Sequence, residues 1–122
     1  MAAFPKDVLA DLAEREEIVI ETGDGRKTII WIVVDGNDVF VRSVRGERGR
    51  WYRELRDEPR GTIHFRGKPK RAPVAFRAVP AADRDSVARF DRALTAKYKG
   101  IPGYEPMREP ETLPTTVRLE PI

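Results

Sequence analysis

The chain has 122 residues, with 40% hydrophobic and 35% charged, one histidine, no cysteine and a formal net charge of +3. That length describes a single domain, residues 1–122, with one core and no separate catalytic lobe. Without cysteine there is no disulfide framework and no thiolate nucleophile, and one histidine does not make a structural zinc site, so no metal is expected. The longest apolar run, Ile29–Val34, is too short to cross a bilayer. Phe4-Pro5-Lys6-Asp7 lacks the basic-then-apolar order of a signal peptide, so no membrane partner and a cytoplasmic location are the default expectations.

Lys6–Arg15 reads as a short helix, with Val8, Leu9 and Leu12 on one face and Pro5 where a first-turn proline is tolerated. Ile18–Thr22 alternates and is β-branched, which predicts a strand, and Gly23-Asp24-Gly25 predicts a turn. Thr28–Val34 is apolar on both faces, which predicts a central strand covered on two sides. Asp35-Gly36-Asn37 turns the chain into a hairpin with Asp38–Val44. Trp51–Asp57 has the length of about two helical turns, stopped before Pro59. Thr62–Arg66 is a strand with Ile63 and Phe65 on one face and His64 on the other. Gly67-Lys68-Pro69 turns it into Pro73–Val79.

A helix follows over Asp83–Lys99, with Val87, Phe90, Leu94 and Tyr98 at helical spacing and Gly100 closing it. Ile101–Pro114 holds four prolines and reads as an ordered loop, and Thr115–Leu119 as a last strand. Six short strands with few helices predict a mainly β (α+β) fold: a small six-stranded antiparallel barrel with peripheral helices. Its core is expected from Ile18, Ile20, Ile30, Ile32, Val39, Val41, Ile63, Phe65, Val74, Phe76, Val117 and Leu119.

Charge is distributed unevenly. Twelve of the 23 basic residues lie between Arg42 and Arg77, with only Glu47, Glu54, Asp57 and Glu58 to answer them. A solvated charged face is one reading. The sharper reading is a phosphate site, because arginine donates paired hydrogen bonds to phosphate oxygens and Gly46 and Gly49 let backbone amides approach the same anion. No nucleophile–base pair is legible, which suits cofactor chemistry.

The order of a hairpin, a glycine- and arginine-rich turn, Trp51-Tyr52-Arg53-Glu54-Leu55-Arg56-Asp57-Glu58-Pro59 and a further strand resembles the split β-barrel flavin-binding proteins. These are the pyridoxamine-phosphate oxidases and the deazaflavin-dependent nitroreductases, with the nitroreductase branch the closer of the two. The chain is also similar to small bacterial proteins of unknown function. The likeness covers roughly residues 26 to 78, plus the order of elements after them.

The resemblance implies a homodimer with FMN or a deazaflavin coenzyme across the barrel, and a flavin- or deazaflavin-dependent oxidoreductase passing a hydride to a small organic acceptor. It places Arg45, Arg48 and Arg50 on the phosphate, Arg42 and Ser43 at a second anion contact, Trp51 under the loop, and Thr28 and Trp31 beside the ring. Where the nitroreductases carry lysine and histidine before the tryptophan, this chain has Glu47-Arg48-Gly49-Arg50, which leaves the cofactor open. Two other classes stand beside it. One is a non-catalytic ligand-binding or scaffold dimer of the same fold. The other is a basic barrel binding single-stranded nucleic acid through Trp51, Tyr52, Phe65 and Arg42–Arg71, which the acids on both flanking helices oppose.

Overall fold

The computed structural model describes residues 3–122. Helix α1 (Lys6–Glu14) buries Val8, Leu9 and Leu12, the stripe that its spacing predicts. Strands β1 (Ile18–Thr22) and β2 (Arg26–Ile30) form a hairpin, as do β3 (Val33–Asp35) and β4 (Asp38–Val41). Helix α2 (Arg50–Asp57), β5 (Arg60–Phe65), β6 (Val74–Pro80), α3 (Arg84–Tyr98) and β7 (Val117–Pro121) complete the order. Asp83 caps α3 by accepting from the Ser86 amide at 3.0 Å.

All seven strands lie in one sheet of order β2-β1-β5-β6-β7-β4-β3, and every pairing is antiparallel. The ends of that order fix its shape. Only Trp31 and Ile32 separate β2 from β3, yet the two strands are opposite edges of the sheet. Laid flat, the edges would stand roughly 29 Å apart at about 4.8 Å per strand. The linking residues reach only about 11 Å. The sheet must therefore curl until its edges nearly meet, which gives a half-barrel.

Two predictions are corrected by this. The strands number seven rather than six, and Thr28–Val34 is not one central strand. It is the end of one edge strand, a two-residue crossing and the start of the other edge. The run is apolar throughout because its residues are covered by different things. Ile30 and Ile32 pack on the barrel interior, while Val33 lies under α3. Trp31 stacks on Tyr98 with ring centroids 4.0 Å apart, and Ile29 stays 48% exposed. Periodicity does not distinguish these cases.

Smaller differences follow the same pattern. The strand expected over Asp38–Val44 ends at Val41, and the last strand begins at Val117. The proline-rich loop carries two short 3₁₀ helices, Pro106–Arg108 and Pro110–Thr115, in which each first proline needs no amide partner. The expected core residues are buried in the barrel, with Ile30, Phe65 and Val74 partly buried at its margin. Leu12 from α1 and Trp51 and Leu55 from α2 join that interior. A second cluster (Phe40, Phe90, Leu94, Tyr98, Met107) forms where α3 covers the outer side of β3 and β4.

The crossing is held by the C-terminal turn of α3. Lys97 Nζ donates to the carbonyls of Leu12 and Ile32 at 2.8 and 2.7 Å. The Tyr98 hydroxyl accepts from the Ile32 amide at 3.3 Å and donates to the Glu16 carbonyl at 2.6 Å. These contacts satisfy the amide and carbonyl of Ile32 at the break in the sheet, and the carbonyls of Leu12 and Glu16 at and after the end of α1.

Burial pushes the Lys97 ammonium down to about 8, against the opposing pull of Glu16 and Asp11. Between about pH 8 and pH 10 the unfolded chain still holds this proton and the folded chain has released it. Unfolding free energy is therefore expected to rise with pH across that window, by at most about 1.4 kcal/mol per unit. Above about pH 10 Tyr98, pushed upward chiefly by burial, opposes the gain, because only the unfolded chain then ionises its phenol. Urea melts at about pH 7.5 and pH 9.5 read the slope, and Lys97→Met is expected to flatten it.

Candidate ligand-binding cleft

A cleft of about 340 Å³ opens between β2 and the segment that follows β4. One wall is apolar and aromatic: Thr28, Ile29, Ile30 and Trp31, with Gly103 and Met107 from the proline-rich loop. A Cβ on Gly103 would sit 3.3 Å from the Trp31 ring, so glycine lets that loop close on the indole. The other wall is Arg42, Ser43, Val44 and Arg45, then Gly49, Arg50 and Trp51. Among the residues that the sequence singles out, Thr28, Trp31, Arg42, Ser43, Arg45, Arg50 and Trp51 thus line one space. Arg48 is exposed and does not line it.

The basic wall is built from the inside out. Arg42 and Ser43 continue the line of β4 against a threonine-rich turn. The Ser43 amide donates to Thr115 Oγ1 at 3.0 Å, and Arg42 Nε donates to Thr116 Oγ1 at 2.8 Å. Thr115 and Thr116 in turn donate to the carbonyls of Thr112 and Leu113 at 2.7 and 2.9 Å. Gly46 follows at φ +63, and a Cβ there would stand 2.9 Å from the Glu111 carbonyl oxygen, so only glycine fits. Gly49 approaches as closely, since a Cβ would lie 2.2 Å from Ser43 Oγ.

Helix α2 then starts at Arg50 with no side-chain cap and no acid in its first turn. Its free amides and its positive end therefore face the same region as Arg45 and Arg50. Both arginines are exposed, and no carboxylate among the described residues pairs with them. Glu54 is taken by Thr22, whose hydroxyl donates to it at 2.5 Å. Glu17, the one carboxylate on the cleft wall, is matched by Arg66 at 2.9 Å.

Arg42 differs from the other arginines. Its side chain is fully buried, and its guanidinium lies 4.0 Å over the Phe90 ring. Nη1 donates to Asp91 Oδ1 at 2.8 Å and to the Met107 carbonyl at 3.2 Å. Nη2 has no partner. Desolvation pushes its pKa down and Asp91 holds it up, but a guanidinium stays charged at any working pH.

His64 stands apart from the cleft, with Nε2 2.6 Å from Glu21 Oε1. Tyr104 is buried, with its hydroxyl 2.8 Å from Thr95 Oγ1, while Gly103 and Met107 of the same loop line the space. Sequence reasoning missed Asp91, Met107 and Thr116. Only the run Thr112–Thr116, rich in hydroxyls beside prolines, hinted at a hydrogen-bonded turn. Among the described residues no group of three or more His, Cys, Asp or Glu is placed to hold a metal ion, and no helix is long and apolar enough to cross a membrane.

The sequence pattern of a bacterial family of uncharacterised conserved proteins, DUF2255, matches residues 8–119. The chain belongs to DUF2255. No protein of curated function matches it in sequence. Solved structures share the fold of this DUF2255 chain, a curled antiparallel half-barrel like that of pyridoxamine-phosphate-oxidase-type proteins. A conserved hypothetical protein, Rv2991 of Mycobacterium tuberculosis, superposes with a TM-score of 0.69 at 13% identity, covering 99% of this chain and 81% of that one. HutZ, a heme storage protein of Vibrio cholerae, gives 0.65 at 18% identity over 100% and 92%. A candidate pyridoxamine 5'-phosphate oxidase of Listeria innocua gives 0.62 at 15% identity over 95% and 90%. At these identities the likeness is one of fold.

Proposed function

We propose that the cleft binds a planar redox cofactor carrying a phosphate, FMN or a deazaflavin coenzyme, and that the protein is an oxidoreductase acting on a small organic acceptor. The observation that carries this is the division of one cleft into an aromatic wall and a basic wall whose two exposed arginines, Arg45 and Arg50, have no acid partner among the described residues. Trp31 and Ile30 offer a flat apolar surface, and Thr28 stands beside it. Arg45, Arg50 and the first amides of α2 offer donors to a dianion. Trp51, 7% exposed, anchors the loop in the core from beneath. A flavin-type group brings the hydride chemistry with it and asks the protein for position and charge.

The heme storage activity of the Vibrio neighbour makes heme the second candidate. The chain's one histidine is engaged with Glu21 outside the cleft, so the nitrogen ligand that most often holds a heme iron is missing there. That favours the flavin reading. Titration with FMN and with the deazaflavin coenzyme tests it. Saturable binding of either at roughly tens of micromolar supports it. Silence from both returns the protein to the non-catalytic scaffold reading.

We propose also that two copies associate over β2. Ile29 is 48% and Val44 47% exposed, and both lie on the cleft wall, where apolar side chains gain from cover. Sedimentation of the purified protein is expected to give twice the chain mass at micromolar concentration. A single-chain mass overturns this part alone.

A further inference from the structure

A second pocket, of about 250 Å³, shares no lining residue with the cleft. It lies between α2, the inward side of β6 and β7, and the turn before β7. Its floor is Leu55, Ala78 and Val117, all buried members of the barrel core. Along β6 the inward positions run Phe76, Ala78, Pro80, and the small Ala78 leaves space that a larger side chain would fill. Protein interiors are close-packed and leave few spaces larger than a water molecule. The walls here do not relax into the space easily, because Pro59, Pro80 and Pro114 stiffen the backbone on three sides of it.

The polar groups around this pocket decide what it takes. The three prolines have no amide to donate. Thr116 Oγ1 accepts from Arg42 Nε at 2.8 Å and donates to the Leu113 carbonyl at 2.9 Å. The Thr116 carbonyl accepts from the Ala81 amide at 3.0 Å, and the Ala78 amide donates to the Pro59 carbonyl at 2.8 Å. With those groups taken, the floor suits an apolar body. Arg56 is the one charged residue on the lining. It is exposed, no carboxylate among the described residues pairs with it, and its guanidinium stands 5.8 Å from the centre of the Tyr52 ring, which forms part of the wall. Its exposed neighbours Asp57 and Glu58 do not line the pocket. One guanidinium matches one carboxylate in charge and in fork geometry, whereas a phosphate dianion would keep a charge unanswered. We propose that this pocket binds a small amphipathic monocarboxylate, with its hydrocarbon against Leu55, Ala78 and Val117 and its carboxylate on Arg56. Since an apolar cavity of about 150 Å³ holds benzene, the body is one ring with a short chain, or a short aliphatic chain. The inference goes beyond the cleft and does not rest on the flavin reading.

The test is calorimetric titration with phenylpropionate and hexanoate, and with phenylpropanol as the uncharged control. Both acids are expected to bind the wild-type protein with Kd on the order of 0.1–1 mM, the range for fragments of about ten heavy atoms, and the alcohol roughly tenfold more weakly. Arg56→Gln is expected to weaken the acids about tenfold and to leave the alcohol unchanged. Ala78→Leu fills the floor. It is expected to abolish binding of acid and alcohol alike while the melting temperature holds or rises, because new packing contacts replace empty space. If Ala78→Leu does not fold, Arg56→Gln decides alone, by whether the preference for acid over alcohol is lost. Replacing Arg45 and Arg50 by alanine is expected to leave the acids unaffected. Silence from both acids at about 5 mM overturns the proposal. So does equal affinity for acid and alcohol, binding that survives in folded Ala78→Leu, or a loss in the Arg45 and Arg50 variant, which would put the acid in the cleft. Failure of FMN to bind leaves this site standing, and failure of the acids leaves the reading of the cleft standing.

Discussion

Replacing Arg45 and Arg50 together by alanine is expected to weaken FMN binding about a hundredfold. Each arginine at the mouth of the cleft offers a charge-assisted contact worth about tenfold once solvent screening is allowed for. Thermal stability without ligand is expected to hold or to rise slightly, since neither side chain is paired with an acid and two cations that repel each other are gone. Arg48→Ala is the control, because Arg48 lies outside the cleft, and its effect is expected to stay within about twofold. Calorimetric titration of the three variants decides. An equal loss from Arg48→Ala marks a diffuse basic surface instead. Binding of single-stranded nucleic acid would then be tested by the salt slope, which falls by about one unit for each phosphate contact removed.

The second large effect is on stability. Tyr98→Ala is expected to cost about 3–5 kcal/mol, the range for removing a large aromatic from a packed core. Tyr98 is fully buried, stacks on Trp31 within 4° of parallel, and ties both Glu16 and Ile32 through its hydroxyl. Tyr98→Phe separates the two contributions. It keeps the stack, leaves the Ile32 amide without its acceptor, and is expected to cost about 1–3 kcal/mol. Because Trp31 lines the cleft, the alanine variant should also lose ligand affinity at temperatures where it remains folded, whereas the phenylalanine variant should keep most of it. Denaturant melts and titration on the same samples check both. A Tyr98→Ala cost below about 1 kcal/mol would mean that the crossing is held by Lys97 and the barrel alone.

How much of this was legible in the chain depends on the range of the interactions involved. The helix over Arg84–Tyr98 and the hairpin at Gly36-Asn37 follow from periodicity and turn chemistry, which act within a few residues. The cleft's members on β2, on the arginine-rich turn and at Trp51 were singled out from composition and from resemblance, and the fold brings them together. Arg42 is a different case. It sits in the basic run and reads like its neighbours, yet its partners are 74, 49 and 65 residues away at Thr116, Asp91 and Met107. No local pattern announces that one arginine of a cluster is buried. Likewise the crossing at Trp31–Ile32 is invisible in a run of apolar residues. What interrupts the strand is the closure of the sheet together with Lys97 and Tyr98 waiting more than sixty positions later. Arg48 differs in another way: its place in the turn matches the basic pattern, but its side chain is exposed and does not line the cleft.

The chain contains two tryptophans, Trp31 and Trp51, and both line the cleft, one on each wall. All of the indole emission of the protein therefore originates at the site. A planar chromophore entering between the walls should quench nearly the whole signal by energy transfer, where most proteins of this size would retain emission from indoles elsewhere. The two indoles also differ in surroundings, Trp31 half-buried against a tyrosine ring and Trp51 within the barrel core. An iodide titration should divide the emission into an accessible and a protected part, and the ligand should merge them. The protein thus carries its own label at the place where a label is wanted.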